Sequence, residues 1–172
     1  LDPSIAYVNL GTGAFAQRAV SGALPVAPRL LVSVVWSNAD HVDYLLEGTV
    51  NGAGSALDWL SNQEGAPLPL LLAEAESSRA VDETPPLFIN GVSGLGAPFW
   101  VADFESRFSA EAEPWQMTVA VAESIVFLIQ INLDLFQKLA SPLEQIVASG
   151  GLTWYEGLCQ RISDLSGLPL YR

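Results

Sequence analysis

Runs of apolar residues, or of apolar and polar residues in alternation, predict a series of strands in the first part of the chain. Residues 5–10 and 14–20 flank Gly11-Thr12-Gly13, so they predict two strands joined by a hairpin-like turn. Residues 30–36 form a continuous apolar, β-rich run, which is typical of a buried strand. Residues 44–50 are the next predicted strand.

Helical and strand patterns mix in the rest of the chain. The predicted helices run from the turn at 52–54 to Leu60, over 70–79 with an acidic face, from Pro114 onward, and over 153–165. Shorter strands are expected at 87–90, 143–148 and 168–171. This order predicts an α/β domain with a mixed sheet and flanking helices. Because a fold rarely ends as a new strand begins, we expect the C-terminal part of the domain to be cut.

Composition excludes several classes of function. The chain has 172 residues, half of them hydrophobic and 15% charged, which suits one folded domain. A formal net charge of −12, with 7 scattered basic residues, argues against binding nucleic acid or anionic lipid. The apolar stretch 117–133 contains Glu123, Gln130 and Asn132, so we interpret it as a buried helix rather than a membrane span.

The cysteine count and the N-terminus indicate a cellular context. A single cysteine, Cys159, allows no intramolecular disulfide and no zinc cluster, so we expect a reducing cytoplasm. Leu1 begins no signal peptide, and the chain is expected to start inside a longer protein.

Three glycine turns, at 11–13, 52–54 and 150–151, each follow a predicted strand. Glycine lets backbone N–H groups approach a phosphate without a Cβ in the way, and Thr12 adds a hydroxyl. The second and third turns lead into predicted helices, whose N-termini favour anions. Each turn alone is more often just a turn. The sequence carries no Walker motif and no Rossmann fingerprint.

Several motifs occur in an order that resembles one known family. Residues 7–15 (YVNLGTGAF) resemble the GTG-x-F hairpin of the FGGY carbohydrate kinases, and residues 44–60 resemble their LEG…AG…WL segment. Residues 93–100 (SGLGAPFW) are similar to the SGLGAPYW signature, which is the most specific match. Residues 116–123 resemble the second signature, and Gly150-Gly151 with the residues that follow resembles the adenosine segment. The resemblance covers nearly the whole chain.

The resemblance implies an actin-like (ribonuclease H-like) ATPase fold and a place in a two-domain enzyme. The chain would be most of the ATP-binding C-terminal domain, residues 1–172, with the sugar-binding N-terminal domain absent. The residues that the resemblance assigns to ATP are Thr12, Gly13, Gly54, Leu57, Asp58, Gly150, Gly151 and Tyr155, with Phe15 on the substrate side of the cleft.

Three departures from the family pattern alter the expectation. Tyr155, with Trp154 beside it, stands where the family usually has an adenine-contacting Asn, so the ring stacks on the base, blocks its site or changes ATP affinity. Asp58 stands where glycerol kinase-like members commonly have Gln, so it repels phosphate or binds ribose hydroxyls. Residues 104–108 replace a usual family run.

The resemblance implies transfer of the γ-phosphoryl group of Mg-ATP to a sugar or polyol hydroxyl. The catalytic Asp of the family would precede Leu1, so we expect this chain alone to be inactive. The acids Asp40, Asp43 and Asp103 and the lone His41 are read as solvated loop residues, and Cys159 as a core residue. Two alternatives remain: another ATPase of the same superfamily, and a degenerate non-catalytic binding or scaffold domain. The sequence leaves a homodimer open.

Overall fold

The computed structural model describes residues 1–23, 26–78 and 84–172. Arg79, the last residue of the helix predicted over 70–79, therefore lies outside the described residues. The strands are β1 (Ile5–Leu10), β2 (Ala14–Ser21), β3 (Leu31–Ser37), β4 (Val42–Val50), β5 (Phe88–Ile89), β6 (Arg107–Phe108), β7 (Gln145–Ser149) and β8 (Leu170–Tyr171). The helices are α1 (Gly54–Glu64), α2 (Leu68–Ser77), α3 (Pro114–Leu139) and α4 (Glu156–Ser166), and a 3-10 helix spans Gly151–Trp154.

Six of these strands form one mixed sheet in the order β3-β4-β2-β1-β7-β8. The pairs β1–β2, β2–β4 and β3–β4 are antiparallel, whereas β7 is parallel to both β1 and β8. β5 and β6 form a separate two-stranded sheet. The predicted α/β class and mixed sheet are confirmed.

One face of the sheet carries the core. Alternate residues of the central strands, such as Ala6, Val8 and Leu10 of β1, are buried, while their neighbours point to the opposite, partly exposed face. The buried face forms a single hydrophobic cluster with residues of α1 and α3. This packing fixes where the loops at the strand ends lie.

α3 is the central helix of the domain. Its length and composition would allow it to cross a membrane, but 61% of its most apolar 18-residue window is buried inside the domain. Buried Asn132 donates to the carbonyl oxygen of Ala97 at 3.2 Å, and a Cβ on Gly48 of β4 would overlap the Asn132 side chain. α3 therefore packs directly on the sheet as a core helix, as the sequence indicated.

Arg18 is the largest fully buried side chain of the described residues. Its guanidinium donates to the carbonyl oxygens of Pro3 (2.8 Å) and Phe136 (3.0 Å) and to the Ser141 hydroxyl (2.9 Å). Burial lowers the pKa of Arg18, because the charged form loses hydration. The side chain ties β2 to the segment before β1 and to the C-terminal end of α3, where a positive charge is favoured.

Two local predictions were wrong. β3 is an edge strand that pairs only with β4, and apart from partly buried Val32 its apolar side chains are exposed, with Trp36 at 51%. The predicted helix start at 153 is a 3-10 turn in which the Thr153 hydroxyl donates to the carbonyl oxygen of Gly150, so α4 begins only at Glu156. Gly167 ends α4 in the left-handed conformation, as expected.

Candidate functional site

The glycine turn after β1 packs directly against the turn that begins α1. The Gly54 N–H donates to the carbonyl oxygen of Gly11 at 2.9 Å, and the Ala53 and Ser55 N–H groups donate to that of Thr12 at 3.3 and 2.9 Å. A Cβ on Gly54 would lie 2.7 Å from the Gly11 carbonyl oxygen, so the approach requires glycine. The first amides of α1 are thus used inside this unit and are not open to an anion, contrary to the expectation from sequence.

The third glycine turn abuts the same strand end. Gly150 follows β7, which runs parallel to β1, and its φ of +96° is a conformation that L side chains rarely adopt. A Cβ on Gly150 would overlap the carbonyl oxygen of Leu10, the last residue of β1. A Cβ on Gly151 would meet nothing within 4 Å. Three turns that are far apart in sequence therefore meet at the same end of the sheet, where β1, β4 and β7 terminate.

These turns enclose a shared depression, which we call the turn hollow. It has a volume of about 380 Å³ and is lined by Gly11, Thr12, Gly54, Asp58, Leu68, Gly151, Leu152 and Trp154. In the described part of the chain, the backbone N–H groups of Thr12 and Gly151 donate to no other residue. The lining holds no Lys or Arg, and Asp58 is its one carboxylate. The hollow thus offers amide donors to an anion but no cationic side chain.

The segment 93–100 supports the hollow from outside. The Ala97 N–H donates to the carbonyl oxygen of Thr49 at 2.9 Å, and the Asn51 side chain donates to that of Ser93 at 3.1 Å. A Cβ on Gly52 would lie 2.5 Å from the Asn90 side-chain oxygen. This segment therefore fixes the end of β4 and the turn that leads into α1.

Comparison with known proteins accounts for this arrangement. The model of the C-terminal domain of the FGGY family of carbohydrate kinases matches residues 6–172. The chain belongs to the FGGY family of carbohydrate kinases. Its mixed six-stranded sheet with flanking helices fits the actin-like ATPase fold, as predicted from the sequence.

Relatives in this FGGY family include kinases of different sugars and polyols. A glycerol kinase from Nostoc sp. is 26% identical over 99% of this chain and 36% of its own length. Among solved structures, a xylulose kinase from Lactobacillus acidophilus has a TM-score of 0.81 at 22% identity, covering 99% of this chain and 35% of its own. A Plasmodium falciparum glycerol kinase with ADP has a TM-score of 0.82 at 23% identity, covering 96% of this chain and 34% of its own. The chain thus spans about a third of these relatives.

Four of the FGGY site residues proposed from the sequence line the turn hollow: Thr12, Gly54, Asp58 and Gly151. Gly13 does not line the hollow, and a Cβ on it would come 3.0 Å from the carbonyl oxygen of Val50. Gly150 supports the hollow through its contact with β1. Six of the predicted residues therefore line the turn hollow or lie in the glycine turns that form it.

The remaining predicted residues lie elsewhere. Leu57 is fully buried in the hydrophobic core cluster, so it does not line the hollow. Phe15 alternates with core residues Ala14 and Ala16, which places it on the partly exposed face of the sheet. Tyr155 is 3% exposed, and its ring is part of the hydrophobic core cluster.

A second depression, the side groove, continues from the turn hollow. It has a volume of about 310 Å³ and is lined by Pro69, Leu72, Ala73, Glu76, Trp154, Tyr155, Glu156 and Gly157. Trp154 lines both depressions. Sequence reasoning placed neither Leu68 nor Leu152 in the site, since only the fold brings the start of α2 to the third turn.

Among the described residues, Ser21, His41 and Asp43 lie close together but are not arranged as a catalytic centre. The Asp43 carboxylate accepts from the Ser21 hydroxyl at 2.6 Å and lies 2.8 Å from His41 Nε2, so it bridges the two and no hydroxyl–imidazole–carboxylate relay exists. Hydrogen bonding from Ser21 and His41 lowers the pKa of Asp43. This exposed cluster lies at the opposite strand ends from the turn hollow.

Thiol chemistry and a protein-borne metal centre find no support. Cys159 is buried, and burial raises the pKa of its thiol, which disfavours the reactive thiolate. Within residues 1–23, 26–78 and 84–172, no group of three or more His, Cys, Asp or Glu side chains is placed to hold a metal ion.

Proposed function

We propose that the protein to which this domain belongs transfers the γ-phosphoryl group of Mg-ATP to a hydroxyl group of a sugar or polyol. In this proposal the chain is the ATP-binding half, and the sugar is held mainly by an N-terminal domain. Membership of a carbohydrate kinase family supports the reaction class. Since the relatives include both glycerol and xylulose kinases, the acceptor is proposed only at the level of sugars and polyols.

The observation that carries the proposal is the meeting of the three glycine turns in one hollow. A triphosphate needs several donors aimed at a single small volume, and backbone amides supply them without flexible side chains. The free N–H groups of Thr12 and Gly151 and the exposed Thr12 hydroxyl are such donors. The solved relative with ADP supports a nucleotide as the ligand.

The donor set also fits a requirement for Mg²⁺. With no Lys or Arg on the lining and Asp58 present, a bound triphosphate would face net negative charge. A divalent cation bound with the nucleotide would neutralise that charge. The chain's own contribution is then to orient the phosphates and to hold the nucleotide against the rigid sheet edge.

In this proposal, the residues that bind the sugar or polyol and accept its hydroxyl proton lie in the rest of the protein. Asp58 lies on the phosphate side of the site, so a carboxylate from outside this chain must accept the hydroxyl proton. A cytoplasmic location accords with the metabolic kinases among the relatives. Association of two copies stays a prediction.

A second candidate is a nucleotide-binding or scaffold domain without catalytic activity. The buried ring of Tyr155, at the position where the family usually has a polar Asn, favours it. A nucleotide-binding domain of this kind differs from the kinase in turnover, and a scaffold domain differs from it in ADP binding as well.

The proposal predicts that the 172-residue chain binds Mg-ADP and transfers no phosphate by itself. Isothermal titration calorimetry measures the binding, and a coupled ADP-release assay with glycerol and xylulose measures turnover by the chain and by the full-length protein. Binding by the chain together with turnover by the full-length protein is the expected result. If the chain binds Mg-ADP but neither the chain nor the full-length protein transfers phosphate, the non-catalytic domain is favoured. If the chain does not bind Mg-ADP, the nucleotide site is refuted.

Asp58→Asn should strengthen ADP binding in the absence of Mg²⁺ by about fivefold, because a carboxylate ~4 Å from a phosphate in water costs roughly 1 kcal/mol. With saturating Mg²⁺ the gain should shrink. Asp134→Asn, at an exposed position of α3, is the matched control and should change neither value. Weaker binding by the Asp58 variant would show instead that Asp58 holds the ribose hydroxyls.

A further inference from the structure

Trp154 occupies an unusual position for an aromatic side chain of a short turn. Its neighbours Leu152 and Tyr155 are buried, but Trp154 itself is 57% exposed. Exposed tryptophan leaves a large apolar surface in water, and such surfaces in a concave region mark binding sites more often than scattered ones do. The indole lies where the turn hollow and the side groove meet.

The two depressions on either side of Trp154 differ in chemistry. The turn hollow presents backbone amides from glycine turns, whereas the side groove presents Pro69, Leu72 and Ala73 of α2. A nucleotide is divided in the same way, into anionic phosphates and a flat aromatic base. With its phosphates in the turn hollow, the base of a bound nucleotide would therefore meet the indole.

Charge sets the direction in which a nucleotide would lie. The side groove carries the acids Glu76 and Glu156, and Glu76 is 3.7 Å from Arg161. Carboxylates repel phosphate but accept hydrogen bonds from N–H groups. The groove, whose lining holds two acids and no Lys or Arg, thus favours a base with N–H donors and disfavours the phosphates.

The turn that carries Trp154 is held in place before any ligand binds. The Thr153 hydroxyl donates to the carbonyl oxygen of Gly150 at 2.9 Å, and Arg172 donates to that of Thr153 at 3.1 Å. The ring of buried Tyr155 lies 6.3 Å from the indole, centroid to centroid. The backbone that carries the indole is thus already ordered, so a base that stacks on the indole does not have to order this turn.

We infer that Trp154 is the stacking platform for the nucleobase and that it gives this site a preference for purine nucleotides. The inference deepens the proposed nucleotide-binding function and rests on it. Stacking gains grow with the area of overlap, and a purine covers more of the indole than a pyrimidine does. The buried Tyr155 then supports the platform from below instead of contacting the base as an Asn would.

Calorimetric titrations of the 172-residue chain, with ADP, CDP and inorganic tripolyphosphate at fixed Mg²⁺, test this inference. Trp154→Ala should weaken ADP binding about tenfold, reduce the ratio of ADP to CDP affinity, and leave tripolyphosphate binding unchanged within about twofold. Trp154→Phe should retain most of the ADP affinity. Trp36→Ala, at a similarly exposed tryptophan on the edge strand, should change nothing.

The outcomes separate this inference from the function on which it rests. Equal or tighter ADP binding by Trp154→Ala would overturn the stacking role and leave the nucleotide site standing. An equal loss for tripolyphosphate and ADP would also overturn it, since the effect would then lie in the turn hollow. Failure of the unmutated chain to bind either ligand would overturn both the function and the inference.

Discussion

Arg18→Ala should lower the free energy of unfolding by about 3 kcal/mol, through a cavity and the loss of three hydrogen bonds. The guanidinium donates to Pro3, Phe136 and Ser141, and no carboxylate among the described residues pairs with it. The Phe136 carbonyl keeps a donor in Ala140, whereas Pro3 and Ser141 lose theirs. Guanidinium chloride denaturation followed by far-UV circular dichroism measures the change.

Arg18→Met separates the two parts of that loss. Methionine refills most of the volume but restores no hydrogen bond, so the expected destabilisation is about half that of the alanine variant. If the free energy of unfolding of Arg18→Ala lies within about 0.5 kcal/mol of that of the unmutated chain, the hydrogen bonds of Arg18 do not hold the end of α3 to the sheet.

Gly150→Ala is expected to destabilise the domain by about 2–5 kcal/mol and to abolish measurable ADP binding. Two costs combine at this position. The backbone has a φ of +96°, and the new methyl group would overlap the carbonyl oxygen of Leu10, which is backbone and cannot rotate away. Denaturation and calorimetry on the same preparation measure both effects.

Gly151→Ala is the matched control for that substitution. It adds the same methyl group at the adjacent position, where nothing lies within 4 Å and the backbone is not left-handed. We expect its stability to stay within about 0.5 kcal/mol of the unmutated chain. Similar stabilities for the two alanine variants would show that the third turn does not press against β1 as the structure indicates.

The central strands and the glycine turns were predictable because local rules decide them. Alternating burial at β1 and β2 and the glycines between them need no knowledge of the rest of the chain. α3 was equally clear, since its apolar positions repeat over 26 residues and Pro114 begins it.

Properties set by distant neighbours were not predictable in the same way. The apolar run of β3 looked buried, but its exposure depends on its place at the edge of the sheet, which no local pattern records. The first N–H groups of α1 donate to the carbonyl oxygens of Gly11 and Thr12. This too depends on a contact between segments about 40 residues apart. Buried Arg18 gave no signal, because its acceptors come from two other segments, the one before β1 and the one around the C-terminal end of α3.

The exposed side of β3 has a consequence for handling the domain by itself. An edge strand with unpaired backbone groups and uncovered Val34 and Trp36 is a template on which a strand of another molecule can add. The net charge of −12 opposes such self-association through mutual repulsion, and salt screens that repulsion. Concentrated solutions of this chain should therefore stay dispersed at low ionic strength and aggregate as salt is added.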